Sequence, residues 1–382
     1  MVSLESLVAE TAPIEDAKRA GSDLAGVFYT GGTTGFPKGV MLSHQNLYIN
    51  TMTLVAEKVL DEHSHGLIAT PMFHIAAGLM MNGFWCVGAR QIILPAFSPD
   101  AVLATIEAEQ VTTTLLVPTM VQMFMDHPAL ESTNLRSLKT LMYAASPISE
   151  ALVRRMAGAL PDTALIQGYG MTELSPIATM LASNLHTVEG MARGKLRSAG
   201  RPTFCVEIRI MNENRQELPR GEVGEITVSG PCVMMGYWNK PEATAEAITD
   251  GWMHTGDAGY MDDEGFVFLM DRVKDMIITG GENVYSAEVE NAICQHPEVA
   301  ACAVIGIPDD KWGEAVHAVI IARDGYAPDL NSVQDVCRKL IAGYKVPRSL
   351  EYADALPVTG AGKVQKTKLR EPHWIKNARS VG

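Results

Sequence analysis

The chain has 382 residues, of which 20% are charged and 47% are hydrophobic, so disorder, collagen, coiled coil and miniature disulfide scaffolds are excluded. At roughly 100 to 200 residues per domain, this length predicts two or three domains. The formal charge of −13 argues against a protein that coats nucleic acid or an anionic membrane, and any anion it binds must be held locally.

The six cysteines are widely spaced and form no Cys-x-x-Cys pair, which favours reduced thiols and a cytoplasmic location over a zinc or redox motif. The N-terminus lacks a basic start and an apolar core, so it does not resemble a secretory signal. The most apolar stretch, residues 75–94, is interrupted by Asn82 and Arg90. It predicts a buried helix followed by a strand, and no transmembrane segment.

Residues 24 to about 170 alternate apolar runs with longer amphipathic ones. The predicted buried strands are LAGVFYT, GLIATPMF, RQIILP, TTTLLVP, LKTLMYAA and ALIQGYG. The predicted helices, over 43–60, 98–110 and 149–160, each have a serine at the N-cap. This alternation predicts an α/β large domain built on a mainly parallel sheet that helices cover on both faces. Ligands are then expected at the carboxyl ends of the strands.

Beyond Gly194 the pattern changes to short alternating segments separated by turns. Residues 195–270 predict antiparallel strands in a small barrel or a distorted sheet. From about residue 275 strands and helices mix, which predicts a smaller C-terminal α+β domain. The expected domains are 1–273 and 274–382, with the junction inside MDRVKD.

One glycine-rich segment, YTGGTTGFPKGVMLSH, follows a predicted strand and precedes a predicted helix. Glycines let backbone N–H groups face an anion, while hydroxyls and an ammonium group supply further donors. The segment fails the GxxxxGK[ST] pattern, yet it still predicts a phosphate-binding loop; a flexible surface loop is the alternative. The candidate phosphate-binding residues are Thr30, Gly31, Gly32, Thr33, Thr34, Gly35 and Lys38.

Five further segments follow in order: GYGMTE, GEITVSGPCVMMGYWNKPEAT, GWMHTGD, DRVKDMIITGGENVYSAEVE and PVTGAGKVQKTKLRE. Together with the glycine-rich segment they resemble the adenylate-forming (AMP-binding) superfamily, which includes acyl-CoA synthetases, luciferases and peptide-synthetase adenylation domains. The resemblance implies an acid–thiol ligase of fatty-acid metabolism that uses ATP, Mg²⁺ and CoA. Its substrate would be a small carboxylic acid, and the absence of a polar partner after His74 favours a fatty or other apolar acid.

The resemblance also implies roles for residues at the nucleotide. Tyr169 and Gly170 would lie at adenine, with Ser146 from AASPIS beside them, although AASPIS departs from the family's usual Gly-Gly-Ala-Pro form. Thr172 would bond a phosphate and Glu173 would hold Mg²⁺, a hard cation that prefers oxygen ligands. Alternatively, Glu173 only complements a helix dipole.

Asp257 and Arg272 would hydrogen-bond the ribose hydroxyls, with a turn-capping role as the alternative for Asp257. His74 would lie at the acyl pocket and the thiol entrance, unless it is a strand-end histidine without a ligand.

The C-terminal domain would carry the groups that move. Lys363 would be the catalytic lysine of adenylation, and Lys274 would be the hinge about which the domain turns for the thiol step. Gly280 and Gly281 would line the pantetheine passage. Trp312 would either lie near the CoA tunnel or pack the small domain. By contrast, Lys366 and Lys368 are expected to be solvated.

Only 28 residues precede Tyr29, whereas members of the superfamily usually carry a long segment there. The expectation is therefore either a fragment or a reduced large domain that lacks the usual N-terminal segment, and a fragment would leave the activity open. Three alternatives stay open: an adenylation domain that loads a carrier protein, a phosphotransferase or NTPase, and a nucleotide-binding relative without activity. The sequence does not indicate the oligomeric state.

Overall fold

The computed structural model describes residues 4–30, 37–146, 148–272, 275–359 and 364–374. Its helices are α1 (Leu4–Glu10), α2 (His44–Ala56), α3 (Ile75–Cys86), α4 (Pro99–Glu109), α5 (Pro118–Asp126), α6 (Glu150–Ala159), α7 (Val188–Ala192), α8 (Pro241–Ala247), α9 (Ser286–Ile293), α10 (Leu330–Arg338) and α11 (Lys366–Trp374).

The strands of the first half are β1 (Leu24–Thr30), β2 (Lys38–Ser43), β3 (His65–Ile68), β4 (Arg90–Ile93), β5 (Thr113–Leu116), β6 (Thr140–Ala144), β7 (Ala164–Tyr169), β8 (Thr179–Leu181) and β9 (Arg201–Pro202). Those of the second half are β10 (Glu207–Met211), β11 (Gly224–Ser229), β12 (Gly236–Tyr237), β13 (Ile248–Thr249), β14 (Trp252–Met261), β15 (Val267–Arg272), β16 (Ile277–Thr279), β17 (Glu282–Val284), β18 (Val299–Asp309), β19 (Gly313–Ala322) and β20 (Ser349–Tyr352).

A seven-stranded sheet in the order β4-β3-β5-β6-β7-β8-β9 forms the centre of the large domain. The strands from β4 to β7 are parallel, β8 pairs antiparallel with β7, and β9 pairs antiparallel with β8. Side chains of α4, α5 and α6 pack on one cluster with the sheet, while α2 and α3 form a second cluster with it. The predicted α/β class, with a mainly parallel sheet and helices on both faces, is confirmed.

All three predicted serine N-caps are confirmed. Ser43, Ser98 and Ser149 accept hydrogen bonds from backbone N–H groups three residues ahead, at 3.1, 3.2 and 3.3 Å. In α2 the motif is a complete capping box, because the Asn46 side chain also accepts from the Ser43 N–H at 2.8 Å.

Strand β1 does not belong to the parallel sheet, contrary to the prediction. It pairs antiparallel with β2, and β2 pairs with β12 in a separate three-stranded sheet. Strand β2 is not predicted from the sequence, because Lys38 and Gly39 are typical of a continuing loop. The alternate side chains of Val40 and Leu42 are fully buried, which is the period of a half-buried strand.

The predicted antiparallel region is also confirmed, in its distorted-sheet form. Strands β10, β11 and β14 pair in that order, and both β13 and β15 pair with β14. Register shifts occur between Glu225 and Thr227 and between Ala258 and Gly259. Within the described ranges these pairings form an open sheet and not the expected small barrel. The register shifts bend the sheet without closing it.

The C-terminal part forms a sheet in the order β17-β16-β19-β18, with β20 parallel to β19. Its core, which includes Ile277, Val304 and Ile320, comes wholly from residues beyond position 276. Helix α11 packs against β18. Over the ranges given above, the chain contains no helix that is both long and apolar enough to span a membrane.

Two ion pairs fix α11 and correct one expectation. Lys366 is not solvated: its Nζ lies 2.8 Å from Oε1 of Glu290, and it also donates to the Ser286 hydroxyl. Arg370 donates to the Asp275 carboxylate at 3.1 Å and to its carbonyl at 2.8 Å. Although burial opposes the charge, Glu290 and Asp271 raise the pKa of Lys366.

Candidate active site

A cavity of about 770 Å³ lies where the three-stranded sheet, the end of β7 and the antiparallel sheet meet. It brings together four of the predicted residues, Thr30, Lys38, Glu173 and Arg272, from three distant segments of the chain. Met276, Asn283 and Tyr285 of the C-terminal part also line it. The cavity therefore combines the cations of Lys38, Arg215 and Arg272 with several carboxylates, Glu173 among them, and a surface of the smaller domain.

Glu173 lies in a 3₁₀ turn, Thr172–Leu174, immediately beyond β7, and is buried. Its Oε1 accepts a hydrogen bond from the Tyr237 hydroxyl at 2.9 Å. Lys38 Nζ lies 4.7 Å from the centroid of the Tyr237 ring. Burial, followed by the Glu173 carboxylate, raises the pKa of Tyr237, so its hydroxyl stays protonated and orients the acid.

Tyr237 was not singled out in the sequence, although it lies in GPCVMMGYWNKPEAT. Its position became apparent only because β12 pairs with β2, the strand that begins with Lys38.

Asp257 is the centre of a second polar group, on β14. The Tyr169 hydroxyl donates to its Oδ2 at 2.8 Å, and Arg272 Nε lies 2.8 Å from its Oδ1. Arg272 also donates to the carbonyl of Thr255 at 3.2 Å. A carboxylate has about four lone-pair sites, so Asp257 retains acceptor capacity beyond these two bonds.

The charges of this group reinforce one another. Burial, and then the Asp257 carboxylate, raises the pKa of Tyr169 well above its ordinary value. Burial opposes the charge of Arg272, yet Asp257, Tyr169 and Glu173 raise its pKa. Tyr169 is therefore a buried hydrogen-bond donor that holds Asp257 in place, and its predicted contact with adenine stays a prediction.

A histidine–glutamate pair in the cavity wall is not predicted from the sequence. His254 Nδ1 lies 2.7 Å from Glu225 Oε2, and Glu225 Oε1 accepts from the Gly256 N–H at 2.9 Å. His254 precedes the ribose motif in GWMHTGD, but Glu225 is brought to it only by the pairing of β11 with β14.

Other predicted residues lie near the cavity wall or away from it. A Cβ on Gly170 would lie 1.9 Å from the Pro176 carbonyl oxygen, so the backbone approach there requires glycine. Thr172 and Ser146 are half-buried at the ends of β7 and β6. His74 is the N-cap residue of α3, and it is not among the residues that line the cavity.

Gly280 and Gly281 form the turn between β16 and β17, with φ values of 62° and 85° that favour glycine. A Cβ on Gly280 would lie 2.7 Å from Trp312, whereas Gly281 has no atom within 4 Å of that position. Lys311 Nζ and the Arg348 guanidinium lie 4.7 and 4.6 Å from the Trp312 ring centroid. Trp312 therefore packs within the small domain, and a role at CoA stays a prediction.

Several predicted site residues lie outside the described residues: Gly31, Gly32, Thr33, Thr34, Gly35, Lys274 and Lys363. The segments that flank the lysine loop are described. Val358 forms a bridge with Val364, and the Gln365 N–H donates to the Pro357 carbonyl at 2.8 Å.

Comparisons with known proteins identify the family of this chain and several of its relatives. The sequence profile of the AMP-binding enzymes matches residues 3–238, and that of the AMP-binding enzyme C-terminal domain matches residues 288–363. The chain is 44% identical to a feruloyl-CoA synthase of an Amycolatopsis species over 91% of this chain and 70% of that protein. It is 37% identical to a medium/long-chain-fatty-acid–CoA ligase of Mycobacterium tuberculosis over 100% of this chain and 67% of that protein.

Among solved structures, ATP-bound MatB from Rhodopseudomonas palustris has a TM-score of 0.88 with this chain at 33% identity. The match covers 97% of this chain and 72% of that chain.

Proposed function

Because the chain belongs to the family of AMP-binding enzymes, we propose that it activates an apolar carboxylic acid with ATP and transfers the acyl group to CoA. In the first half-reaction a carboxylate oxygen attacks the α-phosphorus, and the bond to pyrophosphate breaks. In the second, the CoA thiolate attacks the acyl carbonyl, and the bond to AMP breaks. The observation that carries the proposal is the convergence of Lys38, Glu173 and Arg272 on one cavity.

The polyphosphate is the part of ATP that this cavity suits best. Thr30 and Lys38 border the glycine-rich loop and supply a hydroxyl and an ammonium group, which suit an anion in a chain with a net charge of −13. Such groups act most strongly when they are already aimed at the charge that develops at the transition state.

Mg²⁺ fits the Glu173 carboxylate, because the group lines the cavity and the Tyr237 hydroxyl holds it in one orientation. When bound, the ion neutralises charge on the phosphates. Thr172 precedes Glu173 in the same turn and would donate to a phosphate oxygen.

At the nucleoside, Asp257 and Arg272 would bond the ribose hydroxyls, and Tyr169 would keep the carboxylate in position. Gly170, where the backbone passes close to Pro176, would border the adenine together with Ser146.

The proposal also includes two domains, 1–273 and 274–382, which turn about Lys274. Lys363 would contact the acid and the α-phosphate during adenylation, and Gly280 and Gly281 would face CoA after the turn. A separate core beyond residue 276 supports this division. The fixed flanks of the lysine loop support delivery of Lys363 in a defined place.

We also propose a cytoplasmic location. Six cysteines that form no disulfide support it.

For the substrate we propose a fatty or other apolar acid. The ligase of fatty acids at 37% identity supports an aliphatic chain, while the feruloyl-CoA synthase at 44% identity supports an aromatic acid as the second candidate. His74 and the half-buried face of α3 after it would border the acyl group.

The test is acid-dependent exchange between ATP and labelled pyrophosphate across aliphatic, aromatic and amino acids. We expect exchange with apolar acids, AMP as the nucleotide product, and acyl-CoA when CoA is added. Formation of ADP and orthophosphate would instead identify a phosphotransferase, and acyl transfer only to a carrier protein would remove CoA as the acceptor.

Lys363→Ala should lower this exchange roughly 100-fold or more, because it removes a cation from the developing charge, and it should spare thioester formation from supplied acyl-adenylate. Lys368→Ala is the matched control, since Lys368 is exposed on α11 and should retain both half-reactions. Equal loss of both half-reactions in Lys363→Ala would refute the role of this lysine.

A further inference from the structure

Three potential metal ligands meet in the C-terminal part, on elements that the proposed reaction does not use. His317 lies on β19, Glu351 on the neighbouring β20, and His373 near the end of α11. One ligand atom from each lies within 4.8 Å of the other two. None of the three lines the cavity described above.

The distances within this histidine–glutamate cluster approach those around a bound metal ion. Glu351 Oε2 lies 3.7 Å from His317 Nε2 and 3.8 Å from His373 Nε2. Two ligands at about 2.05 Å and a tetrahedral angle lie about 3.4 Å apart, so Glu351 Oε2 is within a few tenths of an ångström of the required distance to each histidine. The ligand atoms of the two histidines lie within 4.8 Å and must also move closer together. The separations are too long for direct hydrogen bonds between these atoms.

The histidine at the bottom of the cluster is buried and has one unsatisfied nitrogen. His317 is 4% exposed, and its Nε2 has no hydrogen-bond partner. A buried imidazole nitrogen without a partner costs free energy, and a metal ion would relieve that cost.

Ser349 occupies the ring nitrogen of His317 that faces away from the cluster. Its Oγ lies 2.7 Å from His317 Nδ1, a hydrogen bond that places the proton on Nδ1 when the hydroxyl accepts. The Nε2 lone pair then faces Glu351 and His373. This arrangement is the outer-shell hydrogen bond that accompanies most metal-binding histidines.

We propose that His317, Glu351 and His373 bind one divalent transition-metal ion of the zinc class. Two imidazoles and one carboxylate are a borderline donor set that suits Zn²⁺, and Mg²⁺ prefers oxygen ligands alone. The half-exposed side chains of Glu351 and His373, 44% and 25% accessible, give the ion a route from solvent. Water completes the coordination.

The bound ion ties α11 to the sheet of the small domain. His373 is seven residues beyond Lys366, the residue that anchors the start of the helix through Glu290. Metal binding therefore stabilises the position of the helix that follows the Lys363 loop. The effect falls on stability and metal content, so it can be measured without the proposed reaction.

The experiment uses untagged, chelator-treated full-length protein. Zn²⁺ is added in equilibrium dialysis with excess Mg²⁺ present, and Co²⁺ is used as a visible-absorption probe. We expect one equivalent of Zn²⁺ per chain, a higher melting temperature, and a Co²⁺ spectrum typical of nitrogen and oxygen ligands. Absence of a stoichiometric equivalent would overturn the proposal.

His373→Asn and Glu351→Gln change half-exposed side chains, so the fold should be retained. Both variants should lose the binding of one Zn²⁺ per chain. Ser349→Ala should weaken binding roughly 10- to 100-fold, because only the orienting hydrogen bond is lost. Glu371→Gln, an exposed carboxylate on the same helix, is the matched control and should bind normally.

One competing site must be separated from the cluster. Cys294 and Cys302 have sulfur atoms 3.7 Å apart, and thiolates bind zinc tightly. If Cys294→Ser loses the equivalent while His373→Asn keeps it, the ion belongs to the thiol pair and the proposal fails.

Discussion

His186 is a buried histidine whose neutral form the fold requires. Its Nδ1–H donates to the Ala182 carbonyl at 3.1 Å, so its Nε2 accepts from the Tyr143 hydroxyl at 2.8 Å. Burial lowers the pKa of His186 to about 4, below the ordinary value of 6.5. Because the folded pKa is the lower one, the stability contribution is present above pH 6.5 and is lost as the pH falls toward 4.

Between pH 7 and pH 5 we expect this residue to remove about 2 kcal/mol from the free energy of unfolding. Urea midpoints measured across that range should fall steeply for the natural sequence and for His63→Gln, which alters an exposed histidine. His186→Gln should flatten the slope, although it lowers stability at pH 7. Parallel slopes in all three proteins would contradict the assignment.

The roles of residues whose partners are local can be predicted from the sequence, whereas the roles of residues with distant partners cannot. The Ser43 cap bonds to an N–H three residues away, so its motif is complete in a short window. Tyr237 reaches Glu173 across 64 positions, and only tertiary structure joins them. The sequence predicts a solvated Lys366 for the same reason, since no local pattern indicates its ion pair with Glu290.

Among the secondary-structure elements, α3 and β3 provide a matched pair of glycines. A Cβ on Gly66 of β3 would lie 2.2 Å from the fully buried Phe84 ring of α3, whereas Gly78 in α3 has nothing within 4 Å of that position. Gly66→Ala should cost about 1–3 kcal/mol through overpacking. Gly78→Ala should raise the free energy of unfolding by about 0.5–1 kcal/mol, because alanine has the higher helix propensity.

Chemical denaturation of the two variants checks this pair. Both changes add one methyl group, so the added apolar volume is matched, whereas the available space and the secondary structure differ. Destabilisation of the same size in both variants would mean that the packing of α3 on β3 is not as described.

The existence of a strand is easier to predict from the sequence than the sheet to which the strand belongs. LAGVFYT predicted a strand, and β1 is one, but its partner could not be inferred from its composition. Pairing with β2 sets its sheet, and β2 escaped notice because its first residues suit both a loop and a strand. Periodicity identifies a strand, whereas the choice of its partner depends on contacts that form only in the folded chain.

At the level of the whole molecule, the two proposed domains should unfold as separate units. Ile320 is fully buried in the core of the C-terminal part, and Leu141, on β6 of the parallel sheet, is almost fully buried in the core of the large domain. Ile320→Ala should cost about 2–5 kcal/mol in one calorimetric transition and leave the other unchanged. Leu141→Ala should do the reverse. A single transition that both changes lower together would refute independent domains.

The hairpin of β1 and β2 has a consequence for how this site can be varied. Thr30 and Lys38 face each other across the hairpin, so positions 31 to 37 join two ends that strand pairing already holds together. Each doubling of a loop's length then costs only about 0.6 kcal/mol in closure entropy. Insertions between Thr30 and Lys38 should therefore cost little free energy of folding, and their effect should fall mainly on the phosphate binding proposed above.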